Sequence, residues 1–66
     1  MNVELNGEPR ALAAGTTLTE LIESITGSTR GSAVVVDDEV VPRGNWPAFA
    51  LRDGQRVELI TAVQGG

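Results

Sequence analysis

This chain of 66 residues carries very few groups that could do chemistry. It has no Cys and no His. A thiolate nucleophile, a disulfide, the usual general base and the commonest metal ligand are therefore all missing. Its five basic residues are all Arg, so no lysine can form a Schiff base. Asp37, Asp38 and Glu39 read as a solvated turn, because further oxygen ligands at cation-binding spacing are lacking. What remains is the end of the chain, Gly65 and Gly66. Glycine lacks a Cβ, so such a tail can thread a narrow channel and lie close to another backbone. Five extended residues, 62–66, would reach about 17 Å. The α-carboxylate of Gly66 is ionised at neutral pH and is a poor electrophile. It would first have to become an activated acyl group, such as an acyl adenylate. The chain has neither a phosphate-binding glycine loop nor a basic cluster, so a separate ATP-using enzyme must supply that step. The residues thus point to a co-substrate or carrier with no catalytic residues and no metal or cofactor of its own.

Composition narrows the partners. Hydrophobic residues make up 41% of the chain, enough for one thin core in a domain that buries about 60% of its unfolded surface. A net charge of −4 with one Trp and one Phe disfavours nucleic acid, which needs neutralising charge and stacking surfaces. A basic partner would be steered toward the chain. The apolar runs are too short for a membrane span, and no secretory signal is visible. The expectation is a cytoplasmic protein, monomeric when free.

The elements that must position the end follow from pattern. In 1–5, Met1, Val3 and Leu5 alternate with polar residues, as in a half-buried strand. Asn6-Gly7 marks a tight hairpin turn. The return strand, 8–13, contains Pro9, which places it at an edge or at the strand's first residue. Residues 17–26 form the one helix, with Thr17 and Glu20 as a capping box. Leu18, Leu21, Ile22 and Ile25 make its apolar stripe, and Gly27 stops it. Residues 28–32 are a loop. The unbroken apolar run 33–36 predicts an internal strand buried on both faces. Asp37-Asp38 is a turn and 39–41 a short strand ended by Pro42. Breakers Gly44, Asn45 and Pro47 make 43–50 irregular. Asp53-Gly54 is a second tight turn. Residues 56–61 alternate, with Val57 and Leu59 inward. The order β-β-α-β-β-β gives an α+β fold: a mixed sheet of four to five strands packed on one helix. The domain is expected to span 1–61, followed by a flexible Gly-Gly tail, 62–66.

This order with a Gly-Gly end resembles the ubiquitin-like β-grasp family. Within it the chain is similar to the ThiS family of sulfur carriers of thiamine biosynthesis. The residues that carry the likeness are Val41-Pro42-Arg43 with Trp46, then Leu51-Arg52-Asp53-Gly54-Gln55-Arg56-Val57-Glu58, then Ala62-Val63-Gln64-Gly65-Gly66. The resemblance implies that a ThiF-type enzyme adenylates the Gly66 carboxylate with ATP. Sulfur from a persulfide donor then makes a thiocarboxylate, which is delivered to thiazole synthase, ThiG. Gln64, Gly65 and Gly66 would enter the partners' active sites.

A docking surface is expected on the sheet face away from the helix. If Val34 and Val36 face the helix, Val35 faces away, and Ile60 does the same on the last strand. Such a pair would form an apolar patch near the reactive end. Trp46 either packs its loop onto the sheet edge or joins this docking set. Arg43 and Arg52 are either surface charges or partner contacts. Rival functions are a carrier for molybdopterin or cysteine synthesis, a ubiquitin-like modifier, and an interaction module with an inert tail. Gln64 before the glycines and the absence of Lys argue against the modifier.

Overall fold

The computed structural model describes residues 1–27 and 31–61. Strand β1 (Asn2–Leu5) pairs antiparallel with β2 (Glu8–Ala11). Asn6 and Gly7 both take positive φ, 49° and 84°, which matches the right-handed twist of the two strands. Pro9 sits opposite Glu4 in β2, an edge strand where a missing donor is tolerated. The strand ends at Ala11, short of the expected 8–13.

Helix α1 spans Leu18–Thr26. Its capping box is formed: Thr17 Oγ1 accepts from the Glu20 N–H at 3.2 Å, and Glu20 Oε1 accepts from the Thr17 N–H at 2.9 Å. Gly27 closes the helix at φ 76°, its N–H donating to the Glu23 carbonyl at 2.9 Å. Leu18, Leu21 and Ile22 are buried, whereas Ile25 is exposed. Ile25 borders an open cleft that it shares with Leu5, Pro9 and Ala11 and with the polar side chains of Asn6, Glu8 and Arg10, so it is left partly uncovered at the β2 edge.

Strands β3 (Ser32–Val36) and β4 (Glu39–Val41) form a second hairpin. Its turn residues Asp37 and Asp38 also take positive φ, 49° and 70°. Asp37 Oδ1 accepts from the Arg56 N–H at 3.0 Å, so this carboxylate caps the start of the strand that begins at Arg56. Strand β5 (Arg56–Thr61) runs parallel to β1 and antiparallel to β3. The sheet order is β2-β1-β5-β3-β4. The sheet is mixed and five-stranded, with the last strand at its centre.

Two expectations are corrected. The apolar run in β3 is internal but not buried on both faces. Val34 and Val36 are buried, while Val35 is half-buried and Ala33 exposed, because the one helix covers one face. The stretch 43–50 is not irregular throughout. Arg43–Ala48 forms a 3₁₀ helix, whose i→i+3 bonds run from the Asn45 N–H to the Pro42 carbonyl and from the Phe49 N–H to the Trp46 carbonyl. Short 3₁₀ turns need few consecutive donors, so Pro47 is tolerated inside. This segment is tied to the start of α1, the Leu18 N–H donating to the Phe49 carbonyl at 3.0 Å and the Leu51 N–H to the Thr16 carbonyl at 2.9 Å. Among the described residues no helix is long and apolar enough to cross a membrane.

Candidate functional site

The expected reactive residues Gln64, Gly65 and Gly66, and the whole 62–66 segment, lie outside the described residues. What the structure does place is their root. Thr61 ends the central strand and pairs with Ser32 of β3. Any partner that takes Gly66 into its active site must therefore seat within about 17 Å of Thr61.

The nearest large apolar group is Ile60, 56% exposed and opposite Ala33. Val35, half-buried, lies between Glu58 of β5 and Val40 of β4. Val40 is 72% exposed. Directly opposite side chains stand roughly 5 Å apart at Cβ, so Val35 and Val40 form one continuous surface, with Ile60 and Ala33 one rung further along. All four are on the face away from α1, since Val34, Val36, Val41 and Val57 fill the other. Toward the far end of β5 this face turns polar, through Glu58 and an Arg56–Glu4 pair at 3.9 Å.

Val40 is the member of this patch that sequence reasoning missed. A three-residue strand gives too little alternation to assign a face. The inward burial of Val41 and the register with Val35 settle it. Trp46 is the opposite case. It is 1% exposed, and its Nε1–H donates to the Val41 carbonyl at 2.8 Å. Its ring is packed into the core, so Trp46 is withdrawn from the docking set; packing the loop onto the sheet is its role. Asp37, Asp38 and Glu39 form the expected exposed turn. Among the described residues no group of three or more His, Cys, Asp or Glu is placed to hold a metal ion. Arg43 and Arg52 are exposed, and the Arg52 backbone N–H donates to Gln55 Oε1 at 2.7 Å.

This geometry is shared with known proteins. The ThiS family model matches residues 3–66. The sulfur carrier protein ThiS of Thermus thermophilus is 42% identical over 64 residues, covering 97% of this chain and 98% of that one. A thiazole synthase of Magnetococcus marinus is 35% identical over 66 residues, the whole of this chain but 20% of the longer protein. Among solved structures, the thiamine biosynthesis protein ThiS of Geobacter metallireducens superposes with a TM-score of 0.83 at 29% identity, covering all of both chains. The fold is thus a ubiquitin-like β-grasp, and the chain belongs to the ThiS family.

Proposed function

We propose that the chain is a sulfur carrier for the thiazole ring of thiamine. The observation that carries this reading is a family match that runs to Gly66. In the reaction, a carboxylate oxygen of Gly66 attacks the α-phosphate of ATP on a ThiF-type adenylating enzyme, and pyrophosphate leaves. The terminal sulfur of a persulfide then attacks the acyl carbon and AMP leaves. A second thiol cleaves the remaining S–S bond, becoming part of a disulfide and leaving a thiocarboxylate on Gly66. With no Cys, His or Lys of its own, the chain depends on its partners for every catalytic group. ATP and the sulfur donor belong to them.

The receiving enzyme in this reading is a thiazole synthase. The presence of a segment resembling this whole chain inside a thiazole synthase supports that pairing. The patch of Val35, Val40 and Ile60 is the docking surface for the adenylating enzyme. It stands next to the root of the tail, it is apolar, and a net charge of −4 favours a partner with a basic rim.

The test is a mass spectrum of the tail fragment after incubation with a ThiF-type enzyme, ATP, a persulfide donor and a thiol alkylator. Without Cys in the chain, an ATP-dependent alkyl adduct on Gly65-Gly66 can only be a thiocarboxylate. Absence of the adduct with an enzyme shown to be active on another carrier would overturn the reading.

A further inference from the structure

Asn6 does more than form a turn. Its backbone N–H donates to the Val57 carbonyl at 2.9 Å, the last backbone rung of the parallel β1·β5 ladder. At φ 49° the chain then swings away into the Gly7 turn. In a continued parallel ladder, the Leu59 N–H would meet the Asn6 carbonyl, and the Leu59 carbonyl would meet an N–H two residues later in β1. Neither backbone group is in place. The side chain substitutes for both: Asn6 Oδ1 accepts from the Leu59 N–H at 2.8 Å, and Asn6 Nδ2 donates to the Leu59 carbonyl at 3.3 Å. A carboxamide offers the same donor and acceptor pair as a peptide unit, and here it makes one extra rung. Leu59 is two residues from Thr61. On the other side β3 holds both remaining residues, through Ala33 opposite Ile60 and Ser32 opposite Thr61. Among the described residues Asn6 is the last group on the β1 side that holds β5.

We propose that the Asn6 carboxamide is a positioning residue for the transfer reaction: by gripping both backbone groups of Leu59 it sets the height and heading of Ile60 and Thr61, from which residues 62–66 must reach a partner's active site. The inference rests on the sulfur-carrier reading. Small misplacements of a reacting group cost large factors in rate, and five residues leave little slack for correcting an error at their root.

Asn6→Gly tests this, because glycine takes positive φ without strain and keeps the turn while removing the grip. Asn6→Asp retains the acceptor for the Leu59 N–H and loses the donor. The readouts are circular dichroism for folding, amide exchange at Val57 and Leu59, and KM and kcat for adenylation of Gly66. Asn6→Gly is expected to stay folded and to exchange the Leu59 amide faster while Val57 keeps its protection. Val35 and Val40 keep their places and Ile60 is still held by β3 opposite Ala33, so KM should rise by no more than about threefold, while kcat should fall about tenfold. Asn6→Asp should lie between this variant and the wild type. A wild-type rate in Asn6→Gly overturns the inference, as does a rate that falls only in proportion to the folded fraction. A wild-type chain that an active enzyme does not adenylate overturns the carrier reading, and this inference with it.

Discussion

The two faces of the sheet are built from the same strands and do opposite things. Along β3, Val34 and Val36 are buried at 0% and 4% exposure, while Val35 between them is left half open. Along β5, Val57 is fully buried and Ile60 is 56% exposed. Valine and isoleucine suit a strand on either face, so residue type does not distinguish the two. Register does: a shift of one residue would exchange them. The helix side is apolar because it must exclude water for the domain to fold. The open side is apolar near Thr61 although the fold does not require it, and the proposed docking surface is drawn from that surplus.

The comparison breaks most severely at Trp46, the largest fully buried side chain. Trp46→Ala should cost about 3–5 kcal/mol. A domain of this size holds roughly 3–10 kcal/mol in all, so the variant should be largely unfolded or lose much of its thermal stability. Trp46→Phe keeps most of the ring but leaves the Val41 carbonyl without its indole donor, for about 1–3 kcal/mol. Urea unfolding measures both. A loss under about 1 kcal/mol in Trp46→Ala would remove Trp46 from the core and return it to the docking set.

The opposite result is expected on the open face. Ile60→Glu and Val40→Glu should each change stability by no more than about 0.5 kcal/mol, as exposed positions do. They should slow thiocarboxylate formation about tenfold or more, since a charge is placed in the centre of an apolar contact. Unfolding curves and transfer rates taken on the same samples separate the two effects. Unchanged rates in both variants would leave the patch as ordinary apolar surface.

Much of this division is legible in the sequence, for local reasons. Asn6-Gly7, the Thr17–Glu20 box and Gly27 act over three or four residues, so their chemistry is complete within the window that holds them. Val57 follows from the alternation of 56–61, whereas the unbroken apolar run 33–36 hides that only Val34 and Val36 turn to the helix. The features that escape depend on what lies across the fold. Ile25 has the right spacing for the core, yet α1 carries it to an open cleft beside the β2 edge, where Glu8 and Arg10 stand among the lining residues. Val40 needs the β3·β4 register. The burial of Trp46 is one of two readings its sequence allows, but the 3₁₀ helix that delivers it is hidden by Gly44 and Pro47. Gly66 becomes a candidate through the chemistry that the rest of the chain lacks.

The smallest effect sharpens where the proposed docking surface stops. At the end of the open face remote from Thr61, the rung beside Val57 is charged, with Arg56 and Glu4 at 3.9 Å and their side chains 60% and 51% exposed. Exposed pairs contribute about 0–1 kcal/mol, and this distance is at the long end for an ion pair. Glu4→Gln removes the charge and keeps the shape. It should shift stability by less than about 0.5 kcal/mol. It should also leave the transfer rate within about twofold of wild type at physiological ionic strength, because the rung lies beyond the apolar contact and its field is screened within about 8 Å. The check is the transfer rate of Glu4→Gln beside Ile60→Glu across a salt series. A rate that falls in Glu4→Gln, and whose deficit shrinks as salt is added, would extend the docking surface over the charged half of the sheet. The two ends of the open face would then work as one.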